Sequence, residues 1–197
     1  MGIEFELKFR ATEQAQARIR EAYPLEYRTF DMETTYFDTA EGGLSGRHIT
    51  LRRRMENGVA VCTVKAPIKG FGRGEWECQC ADIEVGILEL CKLGAPRELL
   101  FLTVNGVSPI CGAKFTRLAG ALEYQGSLLE IALDTGILTG GGKQIPLCEV
   151  EVELKSGDPE AAMAFGQILS GQFGLEPEDK SKFRRALDLA KGESHGL

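Results

Sequence analysis

The sequence predicts an α+β domain dominated by an antiparallel β-sheet, with helices in the middle of the chain and at its end. Seven or eight segments alternate polar and apolar residues with the period of two that half-buried strands show. Some turns between them carry hairpin signals, of which Asn57-Gly58 is the strongest. Helical periodicity is confined to a short N-terminal segment, one central segment and the C-terminal part, which favours α+β over an alternating α/β arrangement.

The first strand and first helix have clear local signals. Residues 3–10 alternate strictly, and Thr12 can cap a helix that runs to about Ala22 and is stopped by Pro24. The other strands are predicted at 26–38, 49–55, 59–65, 75–81, 113–124, 127–134 and 147–154. The other helices are predicted at 82–93, at 158 to about 173 and at about 181–191.

Composition bounds the class of protein. The 197 residues are enough for one domain spanning 1–197, and 43% hydrophobic with 26% charged residues is typical of a soluble globular protein. A net charge of -6 argues against a nucleic-acid surface, and no apolar run is long enough to span a membrane. The six cysteines form no C-x-x-C pair and the N-terminus leaves no room for a signal peptide, so we expect reduced thiols in a cytoplasmic protein.

Charged residues share one face of the first strand. Glu4, Glu6, Lys8 and Arg10 alternate with Ile3, Phe5, Leu7 and Phe9. An ordinary half-buried strand with a solvated polar side explains this pattern. The other interpretation is a strand whose charged side lines an enclosed site for a metal and an anion.

Acidic rows recur on two later strands. Glu149, Glu151 and Glu153 share one face of their strand, and Glu130 and Asp134 repeat the pattern on the preceding one. Neighbouring carboxylates repel one another, and hard cations such as Mg²⁺ or Mn²⁺ relieve that repulsion by binding their oxygens. Each row taken separately could also be a solvated sheet face.

Basic side chains complete the pattern. They are Arg52, Arg54, Lys65, Arg73, Arg117 and Lys182. About eight antiparallel strands can close into a barrel with room for one small ligand. If the charged faces point inward, burying them costs several kcal/mol per ion unless they are paired or ligated. Carboxylates for a divalent cation together with Arg and Lys for phosphoryl oxygens suit a metal–polyphosphate complex.

The chain resembles the CYTH superfamily, also called triphosphate tunnel metalloenzymes. The resemblance begins with Glu4-x-Glu6-x-Lys8 and covers nearly the whole chain in the family's order. Its further motifs are Tyr36-Phe37-Asp38-Thr39, Leu51-Arg52-Arg53-Arg54, Thr63-Val64-Lys65, Arg73-Gly74-Glu75, Phe115-Thr116-Arg117, Glu130-x-x-x-Asp134, Glu149-Val150-Glu151-Val152-Glu153 and Ser181-Lys182. The family fold is an eight-stranded antiparallel closed β-barrel, the triphosphate tunnel, with flanking helices and a C-terminal helix.

The resemblance also implies roles for individual residues. Metal would be held by carboxylates from Glu4, Glu6, Glu130, Asp134, Glu149, Glu151 and Glu153. Phosphoryl oxygens would be bound by Lys8, Arg52, Arg54, Lys65, Arg73, Arg117 and Lys182. Glu4, Glu6, Lys8, Glu149 and Glu151 form the predicted catalytic set. One departure is Phe115, which stands where many members carry a second basic residue, so the clamp would be one charge weaker there.

The resemblance is closest to bacterial inorganic triphosphatases. It implies hydrolysis of tripolyphosphate to pyrophosphate and phosphate with Mg²⁺ or Mn²⁺. Two alternatives stay open at this point: an adenylyl cyclase, thiamine triphosphatase or nucleoside triphosphatase of the same fold, and a non-catalytic polyphosphate or nucleotide sensor. The expected partner is a small anionic triphosphate, without nucleic acid or membrane, in a chain that is either monomeric or a homodimer.

Overall fold

A computed structural model describes residues 5–68 and 73–192. The strands are β1 (Glu6–Arg10), β2 (Arg28–Asp38), β3 (Thr50–Glu56), β4 (Val59–Pro67), β5 (Arg73–Gln79), β6 (Ser108–Tyr124), β7 (Ser127–Gly140), β8 (Lys143–Ser156) and the two-residue β9 (Glu176–Pro177). The α-helices are α1 (Glu13–Ala22), α2 (Ile83–Lys92), α3 (Glu98–Leu102), α4 (Pro159–Phe173) and α5 (Lys182–Lys191).

The strands form one antiparallel sheet, which confirms the predicted fold class. Its order is β5-β4-β3-β2-β6-β7-β8-β1-β9, so eight long strands are extended by the short β9. Over the described residues the hydrogen-bonded ladder is open between β5 and β9. The sheet is nevertheless strongly curved. Lys8 of β1 and Lys65 of β4 are far apart in the strand order, yet they line the same cavity.

Helices cover the convex face in two places. Helices α1 and α4 pack on β1, β7 and β8 around Phe165 and Leu169, and α2 and α3 pack on β3 to β5 around Leu51 and Leu90. The predicted cap of α1 is confirmed, since Thr12 Oγ1 accepts a hydrogen bond from the Ala15 amide. None of the helices in the described parts of the chain is long and apolar enough to span a membrane.

Helix α5 packs on the concave face. Its apolar residues Phe183, Ala186 and Leu187 belong to a third core cluster with Tyr36 and Phe115, which project from the concave side of β2 and β6. The rings of Tyr36 and Phe183 lie 5.0 Å apart. The helix therefore fills one end of the enclosed space with hydrophobic side chains and brings its charged residues to the remainder.

Several boundaries differ from the predictions. Strands β6, β7 and β8 each extend several residues beyond the predicted 113–124, 127–134 and 147–154, and α3 was not predicted. Strand β7 continues through Gly136, where a Cβ would lie 2.1 Å from the Lys114 carbonyl oxygen. The close approach of β6 requires a glycine at this position, although a glycine in sequence indicates a break.

Candidate active site

The strand register gathers charged side chains into rows on the concave face. Glu6 of β1 lies opposite Glu153 of β8, which in turn lies opposite Glu130 of β7. One step along, Lys8 lies opposite Glu151. Directly paired residues on antiparallel strands bring their Cβ atoms within about 5.5 Å, so each row is a local cluster of charge.

Two adjoining cavities lie on this face and are called the tunnel below. The wide cavity has a volume of about 650 Å³ and the narrow cavity about 130 Å³. Arg52, Arg54, Arg117 and Glu153 line both. The wide cavity is further lined by Phe30, Met32, Glu56, Glu75, Glu77, Ala119, Glu130, Leu154 and Lys155. The narrow cavity is further lined by Glu6, Lys8, Tyr36, Thr50, Thr63, Lys65, Arg73, Glu151, Ser181, Lys182 and Phe183.

A cluster of three carboxylates and three cations forms the wall of the tunnel beside α5. Asp134, Glu149 and Glu151 each place a carboxylate oxygen within 4.8 Å of the others, a spacing that a metal ion could bridge. The three cations that contact them are Arg117, Lys182 and Arg185. We call these six residues the ion cluster; it contains equal numbers of acidic and basic groups, and burial raises the pKa of Glu149 against the opposing charges of Lys182 and Arg185.

Contacts within the ion cluster are direct. Arg117 donates two hydrogen bonds of 2.7 Å to Asp134 and also contacts Glu151. Lys182 Nζ lies 2.7 Å from Asp134 Oδ2 and 2.8 Å from Glu151 Oε1, and it also contacts Glu149. The Phe115 ring lies 5.1 Å from Lys182 Nζ, so this aromatic residue faces a cation inside the ion cluster.

These contacts change the acidity of the groups involved. Burial alone would raise the pKa of Glu151, but the charges of Lys182 and Arg117 outweigh burial and lower it. Burial would likewise lower the pKa of Lys182, yet Glu151, Asp134 and Glu149 raise it. Both groups are therefore held in their charged forms at neutral pH.

Arg54 has a different environment from the ion cluster. Burial, followed by the neighbouring charges of Arg52 and Arg117, lowers the pKa of Arg54 to about 10. Among the carboxylates in the described part of the chain, none forms an ion pair with Arg54, whose Nε donates to Thr34 Oγ1 at 3.3 Å. Arg54 thus presents uncompensated positive charge to the tunnel.

Arg52 is only weakly compensated. Its Nη2 lies 3.6 Å from carboxylate oxygens of both Glu75 and Glu77, and its buried Nε has no hydrogen-bond partner among the described residues. A buried unsatisfied donor costs free energy that a bound acceptor would recover. Arg52 and Arg54 together therefore favour an anion in the space between the two cavities.

The remaining predicted phosphate-binding residues surround the narrow cavity. Lys65 Nζ lies 3.2 Å from Glu75 Oε2. Arg73 donates to the carbonyl oxygen of His48 at 2.9 Å and to Thr50 Oγ1 at 3.1 Å. Lys8 donates to Glu6 at 3.0 Å. All seven predicted cations, Lys8, Arg52, Arg54, Lys65, Arg73, Arg117 and Lys182, line this cavity.

The predicted metal ligands fall into two groups. Glu6, Glu130, Glu151 and Glu153 line the tunnel. Asp134 and Glu149 are fully buried and line neither cavity, because their side chains are covered by Lys182 and Arg185. Glu4 lies outside the described residues.

Sequence reasoning did not assign site roles to several residues that the structure places here. Glu75 and Glu77 contact Arg52, and Thr50 and Thr63 line the narrow cavity. The signal for these was available, because each lies two residues from another tunnel residue of its strand. Arg185 was also not assigned, although it follows Lys182 by three residues on one helix face.

Comparison with known proteins identifies the family. A CYTH domain matches residues 2–187. The chain belongs to the CYTH family. It is 27% identical over 165 residues to an inorganic triphosphatase from Haemophilus influenzae, covering 82% of this chain but only 46% of that longer relative. The chain thus spans about half the length of the relative.

Solved CYTH-like structures support the fold. HpAC1 from Hippeastrum, named as a candidate adenylyl cyclase with a dominant triphosphatase activity, is 20% identical with a TM-score of 0.67, covering 99% of this chain and 98% of its own. The PH1819 protein from Pyrococcus horikoshii is 23% identical with a TM-score of 0.62, covering 92% of this chain and 97% of its own. At these identities the likeness shows the fold alone.

Proposed function

We propose that this CYTH protein hydrolyses inorganic triphosphate to pyrophosphate and phosphate with a divalent cation, Mg²⁺ or Mn²⁺. The observation that carries the proposal is the pair Arg52 and Arg54, of which Arg54 forms no ion pair with a described carboxylate and Arg52 only two long ones, inside a tunnel whose walls also carry carboxylates. The 27% identical inorganic triphosphatase from Haemophilus influenzae supports the choice of reaction.

The tunnel residues fit a hard divalent cation. Glu6 and Glu153 are direct cross-strand neighbours that line the narrow cavity, and Glu151 lines it one step further along. Carboxylate oxygens are the ligands that Mg²⁺ and Mn²⁺ prefer. We propose that Glu6, Glu151 and Glu153 hold the cation, with Glu4 and Glu130 completing the set.

Asp134 and Glu149 suit a different role. Unlike Glu151, which lines the narrow cavity, both residues are fully buried and line neither cavity, so a divalent ion could reach them only by displacing Lys182 or Arg117. We propose that Asp134 and Glu149 position those two cations. A cation bound at Glu6 and Glu153 would offset phosphoryl charge and act as a Lewis acid.

The chain's own contribution is positioning and charge. Phosphoryl transfer requires little covalent chemistry from the protein, because charge develops on the phosphoryl oxygens and must be neutralised there. Arg54 and Arg52 would bind the middle of the triphosphate, where the two cavities adjoin. Lys182, Lys65 and Arg73 would bind the end that enters the narrow cavity.

The wide cavity gives a second candidate substrate. Phe30, Met32 and Leu154 place apolar side chains there, and its volume of about 650 Å³ leaves room for an organic group. An organic triphosphate, hydrolysed or cyclised as in an adenylyl cyclase, is therefore the second candidate substrate.

The predicted cytoplasmic location is consistent with the six free thiols.

A substrate screen tests the proposal. The purified protein is incubated with tripolyphosphate, ATP or thiamine triphosphate in Mg²⁺ or Mn²⁺, and phosphate and cyclic AMP are measured. We expect phosphate release that is fastest from tripolyphosphate. Faster turnover of an organic triphosphate would assign the second candidate, and tight binding without turnover would instead make the protein a sensor.

Substitution of the proposed metal ligands tests the mechanism. Converting Glu6 and Glu153 together to Gln removes two charges without changing shape, and we expect turnover to fall at least 100-fold. Converting Glu33 to Gln is the matched control, because Glu33 is exposed and contacts Lys114 outside the tunnel. Full activity in the double variant would contradict the proposed metal site.

A further inference from the structure

Arg185 is a buried arginine of α5 that lines neither cavity of the tunnel. We propose that Arg185 is a positioning residue: it holds Glu149 and balances its charge, so that Lys182 presents its ammonium group to the triphosphate. The inference rests on the proposed function, because Lys182 is assigned there to the substrate.

The contacts of Arg185 connect the ion cluster to the surface. Its Nη2 donates to Glu149 Oε2, and its Nη1 lies 3.7 Å from Glu178 Oε2. Glu178 in turn lies 3.3 Å from Nε of the exposed Arg10. Arg185 therefore contacts one carboxylate of the ion cluster and one outside it.

Glu149 is the residue through which Arg185 can act. Each oxygen of the Glu149 carboxylate accepts a hydrogen bond from a different cation: Oε1 from Lys182 and Oε2 from Arg185. The backbone of Glu149 is also fastened, because Gln16 Nε2 donates to its carbonyl oxygen at 3.0 Å and to that of Asp134 at 3.1 Å. A carboxylate held in this way acts on a ligand only through Lys182.

Charge balance explains why the contact matters. With Arg185 present, the cluster pairs three carboxylates with three cations. Without Arg185, one carboxylate charge is in excess, and Glu149 would attract the Lys182 ammonium more strongly than before. Lys182 would then be less available to a phosphoryl oxygen, so affinity for the triphosphate should fall even though Arg185 never touches it.

A double-mutant cycle tests this coupling. The variants are Arg185→Met, Glu149→Gln and the two combined, and each is measured for tripolyphosphate binding by calorimetry without metal and for KM and kcat with metal. We expect Arg185→Met to weaken binding and raise KM about ten-fold, with a smaller change in kcat. In the Glu149→Gln background, where no Glu149 carboxylate is left to attract Lys182, the same substitution should change binding less than about two-fold.

Two further variants complete the design. Arg185→Lys keeps the charge and should restore most of the affinity. Arg184→Met is the matched control, because Arg184 is the adjacent arginine of α5 and lies outside the tunnel, with Asp188 as a partner. If Arg185→Met does not fold, Arg185→Gln replaces it in the cycle, because it also removes the positive charge and carries the same expected loss.

Two results would overturn the inference. One is an equal loss of binding on adding Arg185→Met in both backgrounds, and the other is a lower unfolding temperature with unchanged binding and KM. Either would give Arg185 a role independent of Glu149.

The wild type separates failure of the proposed function from failure of the inference. If the wild type binds tripolyphosphate without hydrolysing it, the proposed function fails but the binding cycle still decides the inference. If the wild type does not bind it, both fail.

Discussion

Arg54 and Arg117 project into the same tunnel, but their surroundings differ. Arg117 contacts Asp134 and Glu151, and these contacts raise its pKa despite burial. Arg54 pairs with no described carboxylate, and burial together with its cationic neighbours lowers its pKa. The charge of Arg117 is balanced by carboxylates of the protein, whereas the charge of Arg54 is available to an anionic ligand.

The comparison separates residues that stabilise the tunnel from residues that bind within it. A paired buried charge supports the fold because removing it leaves its partners uncompensated. An unpaired buried charge costs stability and persists where a function requires it. Substituting the two arginines in the same way should therefore give opposite effects on the stability of the ligand-free protein.

The largest effect is expected for Arg117→Met. The substitution leaves Asp134 and Glu151 with one cation fewer in a buried setting, and we expect the free energy of unfolding to fall by about 3–5 kcal/mol. Urea unfolding of the ligand-free protein measures this. The control is Lys114→Met, because Lys114 lies on the same strand but forms an exposed pair with Glu33 at 3.7 Å. A loss no larger than that of the control would show that the ion cluster is not stabilising.

A smaller and opposite effect is expected for Arg54→Met. We expect the free energy of unfolding without ligand to stay level or rise, because an uncompensated buried charge is removed. Affinity for tripolyphosphate should fall about 10–100-fold, which corresponds to one charged hydrogen-bonding partner. Urea unfolding and calorimetry on the same preparations give both quantities. Lower stability with unchanged affinity would reverse the roles assigned to the two arginines.

Strand alternation predicted which residues of each strand share a face. Glu6 with Lys8, and Arg52 with Arg54, were correctly grouped because a strand has a period of two whatever its tertiary setting, whereas the resemblance brought the two strands to one enclosed face. The predicted hairpin at Asn57-Gly58 is also confirmed, with positive φ at both residues.

Depth within the tunnel was not predictable in the same way. The alternation of Glu149, Glu151 and Glu153 is uniform, yet Glu149 is covered while Glu153 lines both cavities. The difference arises because Lys182 and Arg185 of α5 cover one end of the row. Lys182 and Arg185 lie more than 30 positions from Glu149 in the sequence, and a contact at that separation leaves no periodic signal. The pairing of these charges could therefore be known only from the fold.

The smallest effect is the dependence of binding on alkaline pH. Because the pKa of Arg54 is about 10, we expect tripolyphosphate affinity to fall two-fold to ten-fold more in the wild type than in Arg54→Met between about pH 8 and pH 10.5. The variant corrects for titration of the ligand and of the other cations.

The free energy of unfolding should rise over the same pH range in which affinity falls. A cation whose pKa is lower in the folded state binds fewer protons there than in the unfolded state. Its contribution to stability therefore rises as pH increases through about 10. Calorimetry and urea unfolding over this range measure the two trends, and parallel curves for both proteins would mean that Arg54 keeps its proton and is compensated after all.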